Sequence, residues 1–226
     1  MRKTHFLAAA ALVLAACGKP VPRLPGKTPA EQVLWASKYT DVAALRAVLR
    51  AGADPDTRDP NNNWTPVLWA SVRGCGECVD LLSRAGANLE ASNRLDQTAL
   101  ILAARWGQAD AVRALLDRGA DVLARDRDGW SALLWAAFLD REKIALDLLD
   151  HGAPPDQAAD DGFTPLMAAA RRDRETLAEL LLAHGADPAR LGPGRMTAAS
   201  LAAAAGYADL ARRLAAAARA PAGRRS

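Results

Sequence analysis

Gln97-Thr98-Ala99-Leu100-Ile101-Leu102-Ala103-Ala104-Arg105-Trp106-Gly107 continues into Ala111-Val112-Arg113-Ala114-Leu115-Leu116-Asp117-Arg118-Gly119-Ala120-Asp121. Each part of this stretch has a physical reason. Thr98 offers a hydroxyl to cap a helix. Leu100, Ala103 and Ala104 follow helical spacing, and the alanines let a neighbouring helix approach closely. Gly107 sits where the first helix ends and the chain turns. Val112, Leu115 and Leu116 form the apolar stripe of a second helix. Gly119 closes that helix, because the left-handed conformation of a C-cap is easiest for Gly.

The unit recurs. Thr65, Thr98, Ser131, Thr164 and Thr197 are spaced by 33 residues throughout. Gly86, Gly119, Gly152 and Gly185 fall 21 residues after the capping position of their own unit. A fixed period of this length means one supersecondary unit copied along the chain, each copy burying its apolar face on the next. Pro66 and Pro165 follow the cap at the first helical position, where no N–H is needed. A further unit precedes these: Val33-Leu34-Trp35-Ala36-Ser37 parallels Val67-Leu68-Trp69-Ala70-Ser71. That alignment places Glu31 at the capping position ahead of Gly52 and requires one extra residue in the loop Asp54 to Asn63. The unit beginning at Thr197 lacks a Gly-Ala-Asp ending and reads as a closing cap.

On these residues the chain resembles the ankyrin repeat family. The match rests on Thr65-Pro66, on Gly162-Phe163-Thr164-Pro165-Leu166 with Ala169-Ala170, and on the Gly-Ala-Asp/Asn triplets at 52–54, 86–88, 119–121 and 185–187. It covers residues 30–214. The resemblance implies an all-α solenoid of about six helix–turn–helix units, each followed by a protruding loop. Two departures stand out. The family's His after Thr-Pro-Leu is Leu68, Ile101, Leu134, Met167 or Ser200 here. Ala153-Pro154-Pro155 replaces Ala-Asp, which predicts a loop of different course.

The family generally binds proteins, without catalysis or cofactor, through loop tips and first-helix ends on its concave side. Carried over by position, the helix-end residues are Lys38-Tyr39, Val72-Arg73, Arg105-Trp106, Phe138-Leu139 and Arg171-Arg172. Trp64, Gln97, Trp130, Phe163 and Met196 stand just before the caps. Aromatics and Arg dominate binding hot spots. The plainer reading of Trp64, Trp130 and Phe163 is that they fill space between neighbouring loops. Trp35, Trp69 and Trp135 share one position inside the first helix and are expected to pack as core.

Cys75-Gly76-Glu77-Cys78 admits several readings: a local disulfide, two ordinary thiols, or a reactive pair for thiol–disulfide exchange. Exchange of the thioredoxin kind needs a βαβ context, whereas this motif lies between two repeat helices; an envelope thiol–disulfide redox protein using Cys75 and Cys78 is the alternative function. No second Cys pair or close His pair completes a zinc site. His151 and His184 each precede a C-cap Gly, which suits a group favoured at a helix C-terminus. No phosphate loop or nucleophile elbow is present, so no enzyme activity is expected.

Eight of the 29 basic residues lie outside residues 31–214, leaving 21 against all 26 acids, a net of −5. A net-negative body argues against nucleic acid as partner. Residues 1–16 form a leader: Arg2 and Lys3, then the apolar run Phe6 to Ala16, well short of the ~20 residues that span a bilayer. Leu14-Ala15-Ala16-Cys17 resembles the lipobox of bacterial lipoproteins. That resemblance implies lipidation of Cys17, and Gly18 after it implies the outer membrane, facing the periplasm. Pro20, Pro22, Pro25 and Pro29 make residues 17–29 a tether, and 215–226 an Ala/Arg-rich tail. The expectation is a monomeric, envelope-anchored scaffold for a protein partner in the cell envelope. Exported proteins that this chain resembles include immunity proteins against phospholipase effectors and proteins of oxidative-stress defence.

Overall fold

A computed structural model describes residues 28–219; the leader, Cys17 and the extreme C-terminus lie outside the described residues. Among the described residues, twelve α-helices run in six antiparallel pairs: α1 (Pro29–Lys38) with α2 (Val42–Arg50), α3 (Pro66–Val72) with α4 (Gly76–Arg84), α5 (Ala99–Trp106) with α6 (Ala109–Asp117), α7 (Ala132–Phe138) with α8 (Glu142–Asp150), α9 (Pro165–Ala170) with α10 (Glu175–Ala183), and α11 (Ala198–Ala204) with α12 (Ala208–Arg219). Each first helix packs on the first helix of the next pair, and each second helix on the next second helix up to α10. The array is therefore all-α, as the period implies, and its core is one continuous ribbon. Val67, Leu100, Leu133 and Leu166 from the first helices meet Leu82, Leu115, Leu148 and Leu181 from the second, all essentially buried.

Local chemistry sets each boundary. The hydroxyls of Thr98, Ser131, Thr164 and Thr197 accept from the N–H three residues on. Thr65 does not, and its hydroxyl is buried without a partner. Glu31 is not the first cap. Thr28 is, and Glu31 returns the bond to the Thr28 N–H in a capping box. The first helix therefore begins earlier than its siblings, because Thr28-Pro29 and Glu31 supply a complete start signal ahead of the aligned position. At the other end, α12 continues past Leu214 to Arg219, since Ala215 to Ala218 carry nothing to stop a helix.

Three left-handed positions recur in the first five units, and the sixth keeps one of them. One ends the second helix (Gly52, Gly86, Gly119, Gly152, Gly185). One turns between the two helices (Thr40, Gly74, Gly107, Asp140, Asp173, Gly206), and one tips the hairpin (Asn63, Asp96, Gly129, Gly162, Arg195). An added Cβ at Gly119 would meet nothing within 4 Å, so its φ of 78° alone selects glycine there.

The loops are laced to one another. The Asp56 carboxylate accepts from the Asn88 N–H at 2.9 Å, Glu90 from the Asp121 N–H at 2.8 Å, and Asp156 from the Asp187 N–H at 3.0 Å. At the corresponding joint the chain has Leu123, with no carboxylate, facing Pro154, with no N–H; donor and acceptor are missing together. The Pro154 loop nevertheless does not diverge. Gly152 keeps its left-handed turn and the Ala153 N–H bonds Leu148 O as in the other units. Gln157 Nε2 donates to Leu123 O at 2.9 Å, a replacement link between the same two loops.

Candidate partner-binding face

The first helices present a row of aromatic and cationic side chains. Its foundation is the hairpin before each cap. The Asp59 N–H bonds Trp64 O, the Asp126 N–H bonds Trp130 O, and the Ala159 N–H bonds Phe163 O. This pairing fixes the pre-cap residue over the helix that follows. Trp64 thereby lies 4.6 Å from Trp69 and Trp130 lies 4.5 Å from Trp135, centroid to centroid.

Cations from neighbouring units cover these rings. Lys38 Nζ sits 4.6 Å over Trp69, Arg105 Cζ 4.5 Å over Trp135, and Arg172 Cζ 4.1 Å over Phe138. Each contact joins two adjacent units. Phe138 also meets Trp130 edge-on at 5.2 Å. Where a first helix ends in Lys38 or Arg105, the next unit supplies Trp69 or Trp135. Where it ends in Val72, the next unit supplies Leu102. Cation and indole pair at these two joints, whereas Arg171 at the same position is followed by Leu201.

Two sequence expectations are corrected here. Trp35, Trp69 and Trp135 are not core residues; each is half-buried and only flanks the core. The indole is too large for the space between close-packed Ala-rich helices, so its outer face stays at the surface, where Trp69 and Trp135 take a cation. The signal that could have found this was the pairing of Lys38 and Arg105 with the Trp of the following unit. Conversely, Phe163 is buried, only 8% exposed, with its ring 6.2 Å from Trp130. It is a wall of the face and not a contact residue. The space-filling reading thus holds for Phe163, while Trp64 and Trp130 stay half-buried.

The remaining residues are where their positions imply. Tyr39 is 57% exposed and Trp106 56%, Arg73, Arg171 and Arg172 are exposed, and Leu139 is half-buried. The face has an aromatic cluster, Trp130–Trp135–Phe138–Phe163, and two ring pairs, Trp35–Tyr39 and Trp64–Trp69, bridged by Lys38. Between them the third unit substitutes buried Gln97 and Leu102, with Asn93 Nδ2 donating to Gln97 Oε1 at 3.1 Å. Trp106, at the end of the third unit's first helix, has no ring partner among the described residues.

The two indoles differ in one respect. Trp135 Nε1 donates to Asp126 Oδ2 at 2.9 Å, while Asp126 Oδ1 accepts from the N–H groups of Asp128 and Trp130. In the longer hairpin of the second unit, Asp59 Oδ1 instead accepts from Asn61, and Trp69 Nε1 is buried without an acceptor. The inserted residue moves the carboxylate out of register.

Cys75 and Cys78 are joined in a disulfide, their Cα atoms 5.2 Å apart. Cys75 occupies the N-cap of α4 and its sulfur accepts from the Cys78 N–H; Cys78 is fully buried. The bridge lies at the turn between α3 and α4. His151 and His184 also behave as their positions imply. Each places Nδ1 2.7–2.8 Å from a carbonyl one turn back, and Nε2 towards Asp117 and Asp150 of the preceding unit. No group of three or more metal-ligating side chains occurs among the described residues.

Known proteins resemble this chain through the same units. Protein fem-1 homolog A of Danio rerio is 40% identical over 62 residues, 27% of this chain and 10% of that protein. Its human counterpart is 36% identical over 62 residues, 27% of this chain and 9% of that protein. Glycerophosphocholine phosphodiesterase gde1 of Schizosaccharomyces pombe is 34% identical over 65 residues, 29% of this chain and 6% of that protein. The chain matches a tenth or less of the length of these relatives, so the likeness is one of repeats. Family models for ankyrin repeats match residues 33–126, 128–160 and 148–222. With six helix pairs in register and this match over nearly all of the described residues, the chain belongs to the ankyrin repeat family, whose arrays are protein-binding scaffolds.

Proposed function

We propose that this protein is a lipoprotein of the bacterial outer membrane, anchored through Cys17, whose array faces the periplasm and captures a protein partner on the first-helix face. The observation that carries the binding reading is the exposure of Tyr39 and Trp106 on a face otherwise locked by inter-unit ring and cation contacts. A rigid scaffold that leaves large aromatics in water loses little side-chain entropy when a partner covers them. The anchor reading rests on Leu14-Ala15-Ala16-Cys17 after an apolar run. A finer form is that the partner is a toxin or envelope enzyme held inactive, as an immunity protein would hold it.

Two measurements test this. Replacing Tyr39 or Trp106 with p-benzoylphenylalanine in the full chain should give protein adducts in envelope extracts on irradiation, while the same probe at exposed Arg84 on α4 gives none. Equal adducts from all three positions would remove the face. Radiolabelled palmitate should enter the wild type and not a Cys17→Ala variant; equal incorporation would remove the anchor.

A further inference from the structure

We infer that the partner meets this face with an acidic protein segment, seated across units two to five with Trp106 at its centre. The inference rests on the binding reading above and adds the partner's chemistry. The charges of the array are sorted by helix. Helices α3, α5, α7, α9 and α11 contain no Asp or Glu. The acids of the array lie instead on the second helices, the loops and α1.

Inter-unit ion pairs gather on the second-helix side, although Arg50, Arg84 and Lys143 there are also without one among the described residues. On the second-helix side, Arg46 bonds Glu77 at 2.7 Å, Arg118 bonds Asp80 at 2.9 Å, Arg113 bonds Asp147 at 3.2 Å, and Arg213 bonds Glu175 at 2.8 Å. Each of these spans two units. On the first-helix face, Lys38, Arg73, Arg105, Arg171 and Arg172 have no carboxylate within ion-pair distance among the described residues. Lys38, Arg105 and Arg172 lie over rings, which leaves their N–H donors unpaired by any acid; Arg73 and Arg171 have not even a ring. Two carboxylates stand at the edge of this row: Asp140, bound to Arg174 at 3.1 Å, and Asp173.

The first-helix face, with five unpaired cations and no acid on α3, α5, α7, α9 or α11, is complementary to carboxylates on a partner. Arg over an aromatic ring keeps its guanidinium edge free for bidentate carboxylate contact. The arrangement fits a protein segment better than other polyanions. Acidic loops such as Asp121, Asp128, Asp156 and Asp160 flank the row and would repel a nucleic acid or an anionic bilayer that spread beyond it.

The test uses the full chain with p-benzoylphenylalanine at Trp106, irradiated in envelope extract, with mass spectrometry of the adduct. The expected adduct is a protein segment rich in Asp and Glu. Its yield should fall about tenfold in an Arg73→Glu, Arg171→Glu variant and similarly at high salt. These two arginines stack on no ring, so the variant should keep the wild-type circular dichroism and Tm. A neutral or basic segment, a phospholipid or a nucleic acid in the adduct would overturn the inference. So would an adduct unchanged in the charge-reversed variant, although the binding reading would then stand. Absence of any adduct in the unreversed protein would overturn both.

Discussion

Trp106 and Trp135 are both first-helix tryptophans, and their surroundings assign them opposite tasks. Trp135 packs at a tilt against Trp130, carries the Arg105 guanidinium and donates to Asp126. Trp106 touches no ring and is more than half exposed. Trp135→Ala should therefore destabilise the array by about 3 kcal/mol, a fall of roughly 10 °C in Tm by calorimetry. Trp106→Ala should change stability by less than about 0.5 kcal/mol. It should nonetheless weaken capture of the partner at least about tenfold, measured as loss from Tyr39-probe adducts. Equal melting losses for both would mean that Trp106 is structural.

At the scale of elements, the joints between units vary while the helix pairs do not. The joint from Leu123 to Pro154 is the informative one, since its siblings Asp56–Asn88, Glu90–Asp121 and Asp156–Asp187 each carry a carboxylate-to-N–H bond. Leu123→Asp with Pro154→Asp should restore that bond. A double-mutant cycle in urea is expected to give a favourable coupling of about 0.5–1 kcal/mol, with neither single change stabilising. Zero coupling would show that these loop bonds do not hold the units together. The Cys75–Cys78 bridge closes a very short loop, so reducing it with dithiothreitol should lower stability by no more than about 2 kcal/mol. A collapse of the whole array on reduction would make the bridge a folding requirement.

For the whole molecule, stability is a sum over units and their interfaces. Inner units have two neighbours and end units one among the described residues, and the last pair exposes Ala203, Ala204, Ala205 and Arg212. Amide hydrogen exchange should be slowest in α5 to α8 and fastest in α11 and α12; uniform protection would mean the array opens only as a single block. The sequence by itself determined the period, the pairing into six units, the Gly turns and the family, because these depend on residues within one copy and are read again in each. It also located Tyr39, Arg73, Arg105, Trp106, Arg171 and Arg172 by position. Only the tertiary structure decided that Phe163 is wall, that Trp69 and Trp135 belong to the face, that Thr28 starts the first helix, and that the face's cations lack acidic partners. Those outcomes depend on side chains one unit away: Lys38 reaches Trp69, Arg105 reaches Trp135, and Leu123 faces Pro154. Within one copy, nothing records what its neighbour brings to the joint.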